Sequence, residues 1–283
     1  MPAKEAQIGL STIGRPVDPH VPTNLAIALL ALAVFVAGVV AGLVQGGSWG
    51  ASLLDGLVWG GSVFLAWALA RETDPDRRFS AFVAAAGGLA GAIVLGPPGF
   101  LLLFWALLAL RVVNRTTGLP AGAVDIAALY ILALWLGYSV HPLVPLLTFV
   151  IVDFAGIRRF ARPMYVALEA VLPAAAAGFV LAWGWLFGWP GWSWIETLVV
   201  AAIVILTVPV IVTYRRVRTV GDQTGTPLEP HRVQWALAWM VGSAALLAFT
   251  GAVSVQELGP VWAALAGTGI GWILENVTGR AAT

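Results

Sequence analysis

RVVNRTTGLPAGAVD at residues 111–125, an apolar run to His141, and PLVPLLTFVIVDFAGIRRFARPMYVALE at 142–169 together decide how the chain is read. Two apolar runs in this stretch are short and carry an aspartate near the arginine-bearing end, and a third acid, Glu169, follows on the next run. Asp125 lies five residues beyond Pro120, Asp153 five residues before Arg158, and Glu169 seven residues beyond Arg162. If all three runs are helices, their acids sit roughly 7–10 Å inside the arginine-bearing ends, at a rise of 1.5 Å per residue.

The same alternation extends in both directions. Apolar segments fall at about 24–45, 51–70, 79–97, 100–113, 121–139, 142–156, 163–187, 193–214, 233–251 and 258–275. Most reach the ~20 residues that cross a bilayer core. The composition agrees: 60% of the 283 residues are hydrophobic and only 10% are charged, against about 25% charged in ordinary soluble domains. Such a chain cannot cover a water-facing surface. The expected fold is therefore all-α, a polytopic membrane bundle of about ten transmembrane segments. The segments at 100–113 and 142–156 are short enough to be tilted, re-entrant or partial spans.

The positive charges give the orientation. Every arginine and the one lysine, Lys4, fall in the N-terminal tail, 71–78, 111–120, 157–162, 215–232 or the C-terminal tail. The intervening loops near 46–50, 97–99, 139–142, 188–192 and 252–257 hold none. Positive residues mark the cytoplasmic side, so both termini are expected there, in a cytoplasmic membrane. Residues 1–23 read as a polar cytoplasmic tail rather than a signal peptide, 24–275 as one transmembrane domain and 276–283 as a second tail. The Arg, Ala and Gly bias points to a prokaryotic source. A faint repeat pairs Asp55 with Glu196 and 109–118 with 271–280, giving a four-plus-two-plus-four arrangement.

Small residues mark the packing. Gly38, Gly42 and Gly46, Gly56 and Gly60, Gly87 and Gly91, and Gly267 and Gly271 recur four apart, which lets helix backbones approach on one face. Most such faces are seams within a chain; pairing with a second copy or with other subunits of a membrane complex is the other use. Pro145, Pro173 and Pro209 are expected to kink or interrupt their segments. Tryptophans around GWPGW at 188–192 read as an interfacial belt.

Several chemistries are excluded. There is no cysteine, so no disulfide, thiolate metal site or cysteine nucleophile. His20, His141 and His231 fall in tails or loops, unsuited to paired haem ligation. The net charge of +1 gives no reason to expect nucleic acid. No Walker, Gly-x-Ser-x-Gly or His-Glu-x-x-His pattern occurs, and DFAGIRRFAR (153–162) lacks the second glycine and following aspartates of CDP-alcohol phosphotransferases. No cofactor is expected, and an enzyme is the less favoured class. The turn RETDPDRR (71–78) reads as solvated, its arginines balancing its acids. The loop at 214–232 has a basic start and an expected attraction to anionic headgroups.

What remains is the polar centre. A charge in hydrocarbon costs a few kcal/mol and marks a pathway by default. Asp125, Asp153 and Glu169 are the expected ion- or proton-binding groups. Arg111 is placed to balance their charge or hold an anionic solute, Tyr165 to bond Glu169 from one turn away, and Asn114 to add a neutral ligand. The function expected is a multi-pass permease for a small solute or ion, proton-coupled through these carboxylates, with the lipid bilayer and that solute as partners. The alternatives are a non-catalytic accessory subunit of a membrane complex and a lipid-headgroup enzyme; the bland reading of the acids is as structural ion pairs near the interface.

Overall fold

The computed structural model describes residues 11–155, 163–183 and 191–278; for residues 163–169 and 183 it describes the backbone alone. Among these residues the chain is all-helical. The ten helices are α1 (Pro22–Val44), α2 (Trp49–Thr73), α3 (Arg78–Val94), α4 (Phe100–Asn114), α5 (Ala123–Ser139), α6 (Leu143–Phe154), α7 (Pro163–Trp183), α8 (Trp194–Thr213), α9 (Pro230–Phe249) and α10 (Gly259–Thr278). Each overlies one apolar segment of the sequence. Four of them, α1, α2, α8 and α9, are long and apolar enough to cross a membrane. The shortest, α6, has 12 residues. At 1.5 Å per residue it is about 18 Å long, well under the ~30 Å of a hydrocarbon core.

The chain divides into two compact units. One comprises residues 16–103, 193–213 and 255–283, and the other residues 1–15, 104–192 and 214–254. The first unit holds α1, α2, α3, α8 and α10. Its helices pack where side chains are missing. A Cβ on Gly56 would lie 2.6 Å from the Phe35 carbonyl oxygen, and one on Gly60 2.7 Å from that of Ala31. These two glycines seat α1 on α2. A Cβ on Gly88 would lie 2.7 Å from the Ser62 carbonyl oxygen, which seats α3 on α2. Gly267 and Gly271 do the same for α10 against the first turns of α3. The glycine spacing thus marks seams inside the chain. Gly46 and Gly91 are the exceptions, each with nothing within 4 Å of its Cβ position. α1 ends at Gln45, followed by Gly46 in the left-handed region at φ +83°, the usual way a helix stops.

The second unit holds most of α4 with α5, α6, α7 and α9. Its core is aromatic and hydrogen-bonded. Trp105 on α4 donates its indole N–H to Thr148 Oγ1 on α6 at 2.8 Å, and Trp239 on α9 donates to the Leu147 carbonyl at 3.0 Å. The two indoles pack with centroids 5.2 Å apart. Each polar edge of these large apolar groups is therefore satisfied inside the unit, as burial demands. Thr148→Val keeps the shape and removes the acceptor. It should lower stability by about 1–3 kcal/mol in thermal unfolding of the purified protein, whereas Thr148→Ser should stay near the unaltered chain.

The prolines behave in two ways. Pro173 and Pro209 lie inside continuous helices. Pro145 is the third residue of α6, so it starts that helix instead of interrupting it; a first-turn residue has no backbone hydrogen bond to lose.

Residues 11–15 of the polar N-terminal segment are packed against the second unit to which they belong. Ile13 is buried and Arg15 pairs with Asp222 at 2.6 Å. Asp222 belongs to an ordered loop closed by Gly221 N–H to the Thr226 carbonyl and Leu228 N–H to the Thr219 carbonyl. Its Asp222 and Gln223 amides bond the carbonyls of Thr116 and Thr117. The approach of Gly221 to Gly118, 2.6 Å from Cβ position to Cα, leaves no room for side chains at either residue.

Candidate functional site

The acids singled out from the sequence lie on three successive helices, Asp125 on α5, Asp153 on α6 and Glu169 on α7. Asp125 is the third residue of α5, whose N-cap is Gly122. Its carboxylate accepts from Gly122 N–H at 2.9 Å, Ser11 Oγ–H at 2.5 Å, Thr12 N–H at 3.0 Å and Thr12 Oγ1–H at 2.8 Å. Both oxygens are occupied by neutral donors, at the helix end where the dipole favours a negative charge. Asp125 is an anchor for residues 11–12, and none of its bonds goes to Arg111 or Asp153. Asp153 is exposed near the end of α6. Arg111 is partly buried in the last turn of α4, and Asn114 is buried at its end. The side chains of Tyr165 and Glu169, and Arg158, Arg159 and Arg162, lie outside the described residues.

Two arginines close this end of the second unit. Arg232 Nη1 donates to the carbonyls of Val113 and Ala155 at 3.2 and 3.3 Å, and Arg115 Nη2 to Ala155 at 3.4 Å. They cap the ends of α4 and α6, where carbonyls lack helical partners. Burial, and then the neighbouring Arg232 charge, lower Arg115 below the usual arginine range.

The densest buried polar cluster lies in the first unit, in the turn read from the sequence as solvated. That reading is corrected by the structure. Glu72, Thr73, Asp74, Ser80 and Thr268 are each 0% exposed. α2 continues through Thr73, and only residues 74–77 separate it from α3, too short a connection to lift its acids into water. The face of α10 bearing Gly267 and Gly271 then closes over it. Arg77 Nη1 donates to Asp74 Oδ1 at 3.1 Å, and Arg77 Nε donates to Glu275 Oε2. Ser80 Oγ–H donates to Asp74 Oδ2 at 2.6 Å, and the hydroxyls of Thr73 and Thr268 meet at 2.9 Å. A side chain at Gly271 would occupy the place of Ser80 Oγ. Arg71 bonds the Pro75 carbonyl at 2.8 Å.

Asp74 lies one residue beyond α2, at the end where the helix dipole opposes a negative charge. Burial pushes its carboxyl up to about 6, against the pull of Arg77 and Ser80, and Asp76 adds to the rise. The site therefore combines a bridging guanidinium, one pair of hydroxyls, a serine donor and a carboxyl that ionises near neutrality. Among the described residues no group of three or more acids and histidines is arranged to hold a metal ion. The signal for this site in the sequence was the Gly267/Gly271 pair, which places a bare helix face over the balanced turn. No protein family, curated protein or solved structure matches the chain.

Proposed function

We propose that the chain is a multi-pass permease for a small solute or ion in a prokaryotic cytoplasmic membrane. In this reading the ten helices cross or enter the bilayer, with both termini and all arginine-bearing turns on the cytoplasmic side. The observation that carries it is the polar cluster at the end of α2, in a chain with few charges: buried Asp74 bonded by Arg77 and Ser80, Arg77 reaching Glu275, and Glu72 and the Thr73–Thr268 pair buried beside it. Ionisable groups kept inside such a bundle are costly and mark solute or ion pathways by default. The functional centre moves accordingly from Asp125, which serves as an anchor, to the end of α2. The four-plus-two-plus-four repeat is not carried into this reading. Glu196 caps the first turn of α8 through Ser193, whereas Asp55 lies two turns into α2. An accessory-subunit role is less favoured because the glycine faces are largely used within the chain.

The test is counterflow into proteoliposomes of the purified chain, over a panel of labelled sugars, amino acids, nucleosides, polyamines and inorganic ions. At least one solute should exchange above protein-free vesicles, with Glu72→Gln and Arg77→Gln reducing it about tenfold or more and Asp153→Asn leaving it unchanged. No exchange of any solute, with a second protein co-purifying in mild detergent, would replace this reading with the accessory one. Loss in Asp153→Asn alone would return the site to the second unit.

A further inference from the structure

We propose that Asp74 is the group that takes up and releases the coupling proton, and that Arg77 registers its charge by dividing itself between Asp74 and Glu275. This rests on the permease reading and names its coupling ion. The geometry is that of one cation with two anionic partners on different elements. Arg77, at the N-cap of α3, reaches Asp74 at the end of α2 with Nη1 and Glu275 on α10 with Nε. Ser80 holds the other Asp74 oxygen from the first turn of α3.

Two charged groups act on Asp74 directly, Arg77, which is bonded to it, and Asp76 in the same turn. Glu72 and Arg71 precede it on α2, Arg78 follows on α3, and Glu275 shares Arg77 from α10. Of these acids Asp76 is half-buried and Glu275 a quarter exposed, so water reaches them. Asp74 is fully buried at the wrong end of a helix dipole, and its carboxyl is raised to about 6. Glu72 is equally buried, but Asp74 is the acid whose two oxygens face Arg77 and Ser80, so its charge is the one that Arg77 registers. Arg77, with 21% of its side chain exposed, forms the rim through which solvent reaches the pocket.

Uptake is a simple protonation, carboxylate plus a proton from bulk water giving the neutral acid, with no other bond made or broken. Its consequence is mechanical. While Asp74 is charged, Arg77 ties the end of α2 to the start of α3 and to α10 together. Once Asp74 is neutral, the guanidinium is drawn to Glu275, and the hold of Arg77 on the end of α2 weakens. A bundle whose helices are released by a proton has the element that coupling requires, two arrangements biased by one ligand.

The experiment is infrared difference spectroscopy of the full chain in lipid across the pH range, read beside transport. The unaltered chain should show a protonated-carboxyl band with a midpoint near 6, missing in Asp74→Asn. Glu275→Gln, which leaves Arg77 wholly to Asp74, should move that midpoint down by about one unit, the usual effect of strengthening an opposite charge. In proteoliposomes Asp74→Asn should abolish accumulation of the solute against a gradient when a pH difference is imposed. A band that persists in Asp74→Asn, a midpoint unmoved by Glu275→Gln, or accumulation retained in Asp74→Asn overturns the assignment. Absence of counterflow by the unaltered chain is a different failure: it removes the permease reading, and the coupling role with it, even where the band behaves as described.

Discussion

Gly267→Ala should destabilise the protein, and Gly91→Ala should not, although both glycines sit inside helices and belong to four-residue glycine pairs. A Cβ at 267 would lie 2.5 Å from the Ser80 carbonyl oxygen and 3.0 Å from the Ala84 nitrogen, whereas one at 91 meets nothing within 4 Å. The obstacles at 267 are backbone atoms, which cannot rotate away. α10 must then lift from α3, and overpacking of this kind costs about 1–3 kcal/mol, more for Gly267→Val. At 91 the change is purely local and should be neutral or gain up to about 1 kcal/mol from helix propensity. Thermal unfolding in detergent, followed by size-exclusion of the heated sample, compares the two signs directly. Equal midpoints for the two variants would mean that α10 does not sit on α3 as described.

Asp125→Ala should free the N-terminal segment. The carboxylate collects donors from Ser11, Thr12 and Gly122, so its loss leaves a helix N-terminus and a packed strand of chain without their common acceptor. Removing a cap costs about 1 kcal/mol, and each further buried donor left unpaired adds about 1–3 kcal/mol. Hydrogen exchange at residues 11–15 should rise by more than tenfold, while exchange in α2 and α3, in the other unit, stays unchanged. Asp125→Asn keeps one acceptor oxygen and should fall between. Unaltered protection at residues 11–15 would show that Ile13 alone holds the segment.

Much of the architecture was readable from the residues because membrane-type helices declare themselves by composition. Apolar blocks broken by Gly, Pro or Arg mapped onto all ten helices, and the glycine spacings marked the seams between α1 and α2 and between α3 and α10. What escaped were effects that depend on a distant partner. Glu72 and Asp74 looked solvated because their own turn balances its charge; they are buried because α10, far along the chain, presents Gly267 and Gly271 to that turn. Asp125 looked like an intramembrane carboxylate because its helix position was right, but Ser11 and Thr12 come from a stretch whose polarity reads as a tail. Pro145 reads as an interruption because it lies inside an apolar block, but it falls in the first turn of α6, where no helical hydrogen bond is lost.

Arg77 and Glu275 are 198 positions apart. At about 5–20 residues per second of synthesis, roughly 10–40 s separate the emergence of the turn after α2 from that of its last ionic partner. During that interval the nascent chain holds Glu72 and Asp74 at a helix end with Arg77 only half employed and no α10 to shield them. A chain interrupted before α10 would leave those carboxylates without that helix. The codons for α10 thus act as a seal on the turn after α2, and chains that lack them should be recognised and destroyed rather than accumulate.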